Sequence, residues 1–491
     1  MSDRFDVVVI GAGSAGFAAA RTAATKGAKV ALVDKGPLGG LCILWGCMPS
    51  KALLRSAEVA HLVSASRLWG VEARDVQIDF QAVMARKNRL IKGFADYRIH
   101  QIRELPNTEL IMGHARFVGP ERLLVGDREI TGEHIIIATG SVPSIPPIPG
   151  LEDAGYIRSD EALNLPAPPR SMLVIGGGVI AVELGQFFSR MGAEVTLVEV
   201  APHLLPREDV DVSEALEEAL EREGIRLALG HGIVRAERRG DQKILVVRHE
   251  GRESELSAQE IFVATGRVPN LQGLDLAKAE VAMDGRRIRV NEFMQTSNPR
   301  IYVAGDAWGQ AFLVHMAIAE GELAARNAVG RAFEPLDDRV VPHAVFTDPN
   351  VARVGPTEHD CKLQGVDVLV ATYPFADLGK AEVMGGTALS GFVKLIVESH
   401  TGMILGAQAV GPEASDLIHE MVAVISLRGT IEQFMKIPHI HPTLAEIWTY
   451  PAEEIMEILQ ERSLRARVTF MPGGYGPDEA EQCSESAYRL E

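Results

Sequence analysis

Two of the four cysteines in this 491-residue chain, Cys42 and Cys47, lie five positions apart in the stretch GGLCILWGCMPSK, residues 39–51. The other two are remote in sequence, so neither the disulfide framework of a secreted protein nor a CxxC-type zinc site explains the cysteine pattern. Pro49 is typical of a helix that is beginning, and such a helix would place Cys47 near its N-terminus, where the dipole favours a thiolate. Cys42 and Cys47 therefore have to be explained as a pair.

A second candidate for chemistry is HIHPTLAE, residues 439–446. Histidine has an ordinary pKa close to neutral pH, and a neighbouring carboxylate stabilises its protonated form, so this stretch suits proton transfer. Thr443 and Glu446 also fit the TxxE capping box that opens a helix, which leaves two interpretations for Glu446. We expect His439 to be structural.

Two similar segments supply the elements that could position these groups. Each begins with an apolar strand, continues through a glycine-rich turn and a helix of small residues, and ends with a second strand and an acid. The acid follows the first glycine by 23 positions in both. The residues concerned are Gly11, Gly13, Gly16 and Asp34 in the first segment, and Gly176, Gly178, Ala181 and Glu199 in the second. This arrangement predicts two βαβ units whose helix N-termini bind a pyrophosphate and whose acids bind a ribose.

Another pair of segments supports a duplication. IIIATGSVP at 135–143 and IFVATGRVPN at 261–270 are each an apolar strand that turns sharply, at Gly140 and at Gly266. Turns of this kind can serve packing alone. Their pairing with the two glycine-rich segments favours two dinucleotide sites.

Proline and glycine also indicate the domain boundaries. SVPSIPPIPG at 141–150 predicts an extended linker, and RIYVAGDAWG at 300–309 predicts a strand that returns the chain to the first domain. After about residue 340 the pattern changes to strands such as GFVKLIVES and the helix ASDLIHEMVAVISLRG. We therefore predict an α/β protein with two Rossmann-like domains and a C-terminal α+β domain. The predicted bounds are 1–150 and 271–340 for the first domain, 151–270 for the second, 341–465 for the third and 466–491 for a tail.

Composition limits the partners. The formal net charge is −17 and no long basic run occurs, so a nucleic acid or an anionic membrane is not expected as a partner. No segment approaches the roughly 18 to 20 unbroken apolar residues of a membrane span, and the chain opens directly on a strand-like run. We expect a cytoplasmic protein with a sizeable core, since 46% of the residues are hydrophobic.

Taken together, the motifs resemble the FAD-dependent pyridine nucleotide-disulfide oxidoreductases, most of all the dihydrolipoamide dehydrogenases. The resemblance covers residues 5 to about 450, through GAGSAG, GGLCILWGCMPSK, GHARF, ATGS, GGGVIAVELG, VEV, ATGRVPN, YVAGDA, FTDPNVARVG and HIHPTLAE. It implies that the first Rossmann-like domain binds FAD, that the second binds NAD, and that the C-terminal domain forms a homodimer interface.

For the cysteines, the resemblance implies a redox-active disulfide beside the flavin. Cys42 would exchange with the substrate and Cys47 would face the flavin. A purely structural disulfide is the weaker interpretation, because closing so short a loop restrains the unfolded chain by only roughly 2 kcal/mol and a reducing cytosol opposes it. His441 would reach across the dimer as acid and base for the substrate thiol, oriented by Glu446.

The resemblance also implies the remaining site residues. Lys51 and Glu183 would form an ion pair near the flavin N5, where hydride passes between nicotinamide and isoalloxazine. Asp34 would bind the adenosine ribose of FAD, Ala115 the adenine and Asp306 the ribityl chain. The FAD site would comprise Gly11, Gly13, Ala15, Gly16, Asp34, Lys35, Gly40, Leu41, Lys51, Ala115, Thr139, Gly140, Ser141, Asp306, Leu313, Val314 and His315. The NAD site would comprise Gly176, Gly177, Gly178, Val179, Ile180, Ala181, Glu199, Ile233 and Gly266. No metal ligand is predicted.

Glu199 favours NAD over NADP. A carboxylate at the end of that strand accepts from the 2′-hydroxyl of NAD but repels a 2′-phosphate, and no arginine follows before Arg207.

Two features depart from the usual family pattern. Leu41, Leu44 and Trp45 replace the common residues beside the cysteines, which puts the substrate pocket in question. The chain also continues for about forty-five residues beyond Glu446, through a predicted helix from Pro451 and then a tail that carries Cys483.

The expected function is oxidation of a small-molecule or protein-bound dihydrolipoyl group by NAD. One alternative is an NADH-dependent reductase of another disulfide or of a metal ion. HIHPTLAE weighs against the mercuric-ion branch, which lacks HPTxxE, and Glu199 weighs against glutathione-type reductases, which usually prefer NADPH. An alternative of a different class is a redox-sensing or assembly subunit that acts through its C-terminal tail.

Overall fold

The computed structural model describes residues 3–330, 333–337 and 339–469. The chain divides after Asp348 into two compact units. Cys483 and residues 470–491 of the predicted tail lie outside the described residues.

The first unit is rich in short strands. They are β1 (Asp3–Ile10), β2 (Val30–Asp34), β3 (Thr108–Met112), β4 (Ala115–Gly119), β5 (Arg122–Val125), β6 (Arg128–Ile137), β7 (Ser141–Pro143), β8 (Ser171–Ile175), β9 (Glu194–Val198), β10 (Arg226–Ala228), β11 (Gly232–Arg239), β12 (Gln242–His249), β13 (Arg252–Ala258), β14 (Glu260–Val263), β15 (Arg267–Pro269), β16 (Met283–Asp284), β17 (Arg287–Ile288), β18 (Ile301–Val303) and β19 (His343–Val345).

The helices of this unit follow the same chain order. They are α1 (Ser14–Thr25), α2 (Gly40–Leu44), α3 (Cys47–Ser64), α4 (Phe80–Arg103), α5 (Leu151–Ala154), α6 (Ser159–Ala162), α7 (Val179–Arg190), α8 (Val210–Arg222) and α9 (Val314–Val329), with 3₁₀ helices at Ser66–Trp69, Leu276–Ala279 and Gly305–Ala307.

The first sheet has a parallel core in the order β3-β2-β1-β6, and β18 also pairs with β6 in parallel. β5 and β4 extend it as antiparallel strands. Val7 and Val9 of β1 belong to the core cluster that includes α1 and α9, whereas Val8 and Ile10 belong to the cluster on the opposite face. A sheet covered on both faces explains why the second half of β1, from Val7 to Ile10, is continuously apolar.

The second sheet is a smaller version of the first. Its strands run in parallel in the order β10-β9-β8-β14. The antiparallel meander β11-β12-β13 packs against it, with Leu245 and Val247 in the same core cluster as Leu173 and Ile175. In both sheets the glycine-rich turn follows a central strand at its carboxyl end, which is where open α/β sheets bind ligands.

The second unit is α+β. Its strands β20 (Asn350–Val354), β21 (Val368–Pro374), β22 (Phe392–Glu398) and β23 (Ile404–Gly411) form an antiparallel sheet in the order β20-β23-β22-β21. Its helices are α10 (Glu358–Gln364), α11 (Gly379–Met384), α12 (Ala414–Ser426), α13 (Ile431–Phe434) and α14 (Thr449–Thr469), with 3₁₀ helices at Phe375–Asp377, Gly386–Leu389 and Ala445–Trp448. Trp448 and Phe434 are fully buried in its core. Two parallel dinucleotide-type sheets and an α+β unit confirm the predicted fold class.

Candidate active site

The first glycine-rich turn is shaped for close backbone approach. Gly11 has a φ of +105°, and a Cβ on it would lie 2.3 Å from the carbonyl oxygen of Ala138. A Cβ on Gly16 would lie 1.7 Å from the carbonyl oxygen of Gly11, so only glycine lets α1 pack this tightly on the turn. In the second turn Gly176 has a φ of +115° and the same kind of close carbonyl neighbour, at Ala264. Both turns therefore present bare backbone in front of a helix N-terminus.

The two predicted ribose-binding acids are held in the same way. Asp34 accepts hydrogen bonds from the backbone N–H groups of Ala12, at 2.7 Å, and Gly36, at 2.6 Å. Glu199 accepts from the equivalent N–H groups, those of Gly177 and of Ala201, the latter at 2.8 Å. β2 ends at Asp34 as predicted, whereas β9 ends at Val198 and Glu199 follows it. Each acid is thus fixed against its own glycine-rich turn, with its position repeated in both sheets.

A polar cluster lies beyond the carboxyl end of β6. The hydroxyl of Ser141 donates to the Oδ2 of Asp306 at 2.5 Å, and Arg267 donates to the Ser141 hydroxyl at 2.8 Å and to its carbonyl oxygen at 2.9 Å. Asn270 donates to the carbonyl oxygens of Thr139 and Gly140. The Thr139 hydroxyl oxygen is buried without a hydrogen-bond partner among the described residues, so it is available to a ligand.

Arg267 and Glu320 were missed by the sequence analysis. Arg267 stands in the quoted motif ATGRVPN, and the presence of an arginine in that motif is the signal that could have identified it. Glu320, on α9, accepts the backbone N–H of Gly305 at 2.7 Å. Burial is the main cause that raises the pKa of Glu320 to about 7, and the neighbouring Asp306 charge adds to it.

The remaining predicted cofactor residues are distributed around these turns. Ala15 is in the first turn of α1, and Val179, Ile180 and Ala181 are in the first turn of α7, which follows Gly178. Ala115 begins β4 and is buried, Lys35 is exposed, and Gly13 lies directly before α1. Ile233 is in β11, Gly266 has a φ of +96°, Leu313 caps α9, and Val314 and His315 begin it.

The cysteine pair joins two helices. Cys42 is in α2, and Cys47 is the first residue of α3, so this helix begins two residues before the predicted Pro49. Both cysteines are free thiols and half-buried, and they hydrogen-bond with each other. Gly40, with a φ of +76°, brings α2 onto the first turn, because a Cβ there would lie 2.7 Å from the Cα of Gly13. The pair is therefore positioned directly against the first dinucleotide-type turn.

The two thiols are electrostatically unequal. The hydrogen bond between them is the main cause that lowers the pKa of Cys47 to about 7, and the Lys51 ammonium lowers it further against the effect of burial. The same hydrogen bond, with burial, raises the pKa of Cys42 well above the ordinary thiol range. At neutral pH about half of Cys47 is thiolate, whereas Cys42 keeps its proton.

Lys51 and Glu183 form the predicted ion pair. Lys51, on α3, donates to both oxygens of Glu183, on α7, at 2.9 and 2.8 Å. The Glu183 side chain is only 4% exposed, and it also accepts the backbone N–H of Phe346 at 3.0 Å. The Lys51 ammonium lies 4.4 Å from the centre of the Phe346 ring. This anchored cation adds to the preference of Cys47 for the thiolate form.

The residues that depart from the family pattern lie on the same short helix. Leu41 is in α2, Leu44 ends it and Trp45 follows it. The Leu44 side chain packs on Gly39, where an added Cβ would meet it at 3.1 Å. Leu44 thus occupies the turn that leads into the cysteine pair.

In the second unit, His441 and Glu446 are paired as predicted. The Nδ1 of His441 lies 2.9 Å from the Oε2 of Glu446, and the Oε1 of Glu446 accepts the backbone N–H of Thr443 at 3.0 Å. The Thr443 hydroxyl donates instead to the carbonyl oxygen of Ile440, so only half of the capping box forms. Glu446 therefore contacts His441 and also accepts the one backbone N–H of the partial capping box.

The two histidines of this segment differ in exposure. The His439 side chain is 9% exposed, and its Nε2 lies 2.8 Å from a Glu420 oxygen. The His441 side chain is 77% exposed. His439 is thus tied into its own unit, whereas His441 presents its imidazole outward.

One cluster has ligand types that suit a metal ion. His61, Glu223 and Asp348 bring their ligand atoms within 4.8 Å of one another. Arg190 already pairs with Glu223 at 2.6 Å and with Asp348 at 2.7 Å. Because Arg190 pairs with both carboxylates, this cluster is an ion-pair network.

Comparisons with known proteins agree with this geometry. Residues 5–321 match the family described as pyridine nucleotide-disulphide oxidoreductase, and residues 341–452 match its dimerisation domain. The chain belongs to the pyridine nucleotide-disulphide oxidoreductase family. It is a flavoprotein disulfide oxidoreductase, and this family uses FAD and a pyridine nucleotide.

Relatives of more than one specificity are similar to this family member. A Staphylococcus aureus mercuric reductase is 35% identical over 90% of this chain and 81% of its own, and a Bacillus subtilis dihydrolipoyl dehydrogenase is 35% identical over 91% and 97%. A Chlorobaculum parvum dihydrolipoyl dehydrogenase is 38% identical over 91% and 96%. Among solved structures, the copper(II) complex of the HOCl-induced flavoprotein disulfide reductase RclA from Escherichia coli has a TM-score of 0.82 and 29% identity, covering 92% of this chain and 99% of that one.

The first sheet of this oxidoreductase fits FAD on its own geometry. Its glycine-rich turn leaves no room for side chains, and the Thr139 hydroxyl offers a buried, unused hydrogen-bonding group at the same carboxyl edge. None of the helices in the described part of the chain combines the length and apolar character needed to cross a membrane.

Proposed function

We propose that this oxidoreductase is a dihydrolipoyl dehydrogenase, which converts a dihydrolipoyl group and NAD⁺ into a lipoyl group, NADH and a proton. The observation that carries the proposal is the His441 imidazole, which Glu446 holds at 2.9 Å and which is 77% exposed within the dimerisation domain. An exposed, carboxylate-oriented imidazole suits a base that takes a proton from an incoming thiol. The HPTxxE pattern that carries it is absent from mercuric-ion reductases.

The chemistry begins from the oxidised form, in which Cys42 and Cys47 are disulfide-bonded. One substrate thiol gives its proton to His441, which reaches across the homodimer as the family resemblance implies. The sulfur of that thiol attacks the Cys42 sulfur, so the Cys42–Cys47 bond breaks and Cys47 leaves as a thiolate. The sulfur of the second substrate thiol then attacks the substrate sulfur of the mixed disulfide, and Cys42 leaves and takes up the proton that this second thiol loses. The substrate dithiol has become a disulfide, and the two cysteines hold the electron pair.

The unequal thiols support this assignment of roles. A leaving group departs most easily as the weaker base, and the pKa of Cys47 is lowered to about 7 while that of Cys42 is raised. Lys51 stabilises the Cys47 thiolate once it has formed. FAD, when bound, supplies the two-electron exchange between this cysteine pair and the nicotinamide.

The pyridine nucleotide in this proposal is NAD. Glu199 is held on its turn by two backbone N–H groups, so its charge cannot easily turn away from a ribose that binds there. A 2′-phosphate at that position would meet an uncompensated carboxylate. We propose the predicted FAD-site and NAD-site residues as the groups that hold the two cofactors.

The test is steady-state oxidation of dihydrolipoamide with NAD⁺ by the purified holoenzyme, compared with reduction of lipoamide, glutathione disulfide and mercuric ion by NADH. We expect lipoyl turnover that is lost in Cys42→Ser and retained in Cys361→Ala, which changes a cysteine in a different unit. A preference for mercuric ion or for glutathione disulfide would replace the proposal with a neighbouring activity, and no turnover of any of them would remove it.

A second pair of variants tests the imidazole. His441→Gln is expected to lower kcat at least 100-fold, which is within the usual contribution of a general base. His400→Gln changes another exposed histidine of the same unit, 80% exposed, and should leave kcat unchanged. Glu446→Gln keeps an oxygen for the Thr443 N–H but loses the charge, so it should lower kcat without lowering Tm.

A further inference from the structure

Helix α4 places an arginine near the cysteine that meets the substrate. α4 packs against α2, the short helix that carries Cys42. The guanidinium of Arg98, on α4, lies over the ring of Phe17 with 4.4 Å between its carbon and the ring centre. Phe17 belongs to the first turns of α1, directly behind the first glycine-rich turn. Arg98 is therefore oriented by an aromatic face at the same end of the first unit as the cysteine pair.

The charge of Arg98 is not neutralised by the protein. Its Nε is buried and has no hydrogen-bond partner among the described residues, and no carboxylate within that part of the chain lies at ion-pair distance from it. Arg21 provides the contrast, since it lies by the same Phe17 ring but pairs with Glu322 at 2.7 Å. A half-buried guanidinium with an unused donor is costly to keep unless an anion binds to it.

Arg98 and Cys42 also interact electrostatically. Burial lowers the pKa of Arg98, and Cys42 raises it. In return the Arg98 charge opposes the larger effects that raise the pKa of Cys42. An anion bound by Arg98 would therefore lie beside the sulfur that receives the substrate.

We infer that Arg98 determines substrate specificity by binding a carboxylate that the substrate carries near its sulfur pair. This inference rests on the proposed function, because it takes Cys42 as the sulfur that meets the substrate, and it specifies the substrate class as an anionic dithiol or disulfide. The two N–H groups of a guanidinium edge match the two oxygens of a carboxylate, which gives selectivity as well as attraction. A neutral substrate of the same shape leaves the buried donor unused.

The test compares matched substrates in the holoenzyme with NADH. Lipoate and lipoamide differ only in a terminal carboxylate or amide, and 5,5′-dithiobis(2-nitrobenzoate) and 2,2′-dithiodipyridine are aromatic disulfides with and without carboxylates. We expect kcat/KM to favour the anionic member of at least one pair about tenfold or more, and to lose that preference in Arg98→Met through KM. Arg98→Lys keeps the positive charge but loses the two parallel N–H donors of the guanidinium, so it should retain part of the preference for the anionic substrate. Arg21→Met, whose guanidinium is already paired, should keep the preference.

The outcomes separate the two proposals. An equal loss of kcat/KM for anionic and neutral substrates in Arg98→Met would mean that Arg98 acts on Cys42 alone, and this result would overturn the inference. An unchanged ratio in Arg98→Met, or in Arg98→Lys if the methionine variant does not fold, would also overturn it. Failure of the wild-type enzyme to reduce any of these disulfides would instead reject the proposed function.

Discussion

Removal of the Lys51 ammonium tests how the site sets the charge of its cysteines. The pKa of Cys47 is lowered from an ordinary value of 9.0 to about 7, which corresponds to roughly 3 kcal/mol of preference for the thiolate. The hydrogen bond from Cys42 contributes most, and Lys51 is the principal charge that acts in the same direction. Lys51→Met removes that charge and leaves the buried Glu183 carboxylate without its cation. We therefore expect the pKa of Cys47 to rise, by about one unit.

The sign of the effect can be tested as well as its size. The Glu183 carboxylate raises the pKa of Cys47, so Glu183→Gln should lower it. At pH 7 about half of Cys47 is thiolate in the wild type, and about one tenth would be in Lys51→Met. Opposite shifts in the two variants would identify charge as the cause, because a loss of packing would move both in one direction.

The assay is brief alkylation of the reduced holoenzyme with iodoacetamide between pH 5 and pH 9, with tandem mass spectrometry to separate Cys42 from Cys47. The midpoint for Cys47 should lie near 7, and Cys42 should resist alkylation throughout this range. Lys26→Met, at an exposed lysine after α1, is the matched control and should not move the midpoint. An unchanged midpoint in Lys51→Met, or equal shifts in Lys51→Met and Glu183→Gln, would refute this account.

Two further predictions concern the framework of the site. Because the pKa of Glu320 is raised to about 7 in the folded state, the stability due to its protonated form is present at acid pH and is lost as the pH rises from about 4.5 through 7. In urea unfolding, the stability of Glu320→Gln should rise relative to the wild type by up to about 3 kcal/mol between pH 5 and pH 8. Glu292→Gln, at an exposed glutamate of the same unit, should show no such trend. A difference between Glu320→Gln and the wild type that does not change with pH would contradict the assignment. Gly40→Ala should raise the Kd for FAD at least tenfold, because its Cβ would lie 2.7 Å from the Gly13 Cα, whereas Gly70→Ala has a similar φ of +74° with open space and should retain FAD. Equal FAD binding by the two alanine variants, measured by equilibrium dialysis, would show that the close approach is not needed.

Local sequence patterns were sufficient for the two parallel sheets and the cysteine pair. Gly11 and Gly176 occupy positions where φ is positive and a carbonyl oxygen excludes a side chain, so their spacing carries structural information by itself. The ion pair of Lys51 with Glu183 spans 132 positions, and only the family resemblance suggested it. We predicted that Cys47 lies near the N-terminus of the helix. In the structure α3 starts at Cys47, ahead of Pro49, so the thiol occupies the first position of the helix.

Other features depend on tertiary packing and had no local signal. Arg98 is one of many charged residues along α4, and nothing in its neighbours indicates that its Nε is buried without a partner. Glu320 occupies a helix of small residues, and only the approach of Gly305 explains its burial. The antiparallel meander β11-β12-β13 was not predicted, because its strands carry many charged side chains.

The repeated anchoring of Asp34 and Glu199 bears on attempts to redesign this enzyme for another coenzyme. Replacing Glu199 by a basic residue would admit a phosphate, but it would also remove the acceptor of the hydrogen bonds from the Gly177 and Ala201 amides. The loop that has to bind the diphosphate would then be less well ordered. A successful exchange would need new acceptors for those amides at the same time. The choice of coenzyme and the structure of the loop depend on the same carboxylate. Evolution or engineering therefore has to change the coenzyme-binding side chain and the loop together.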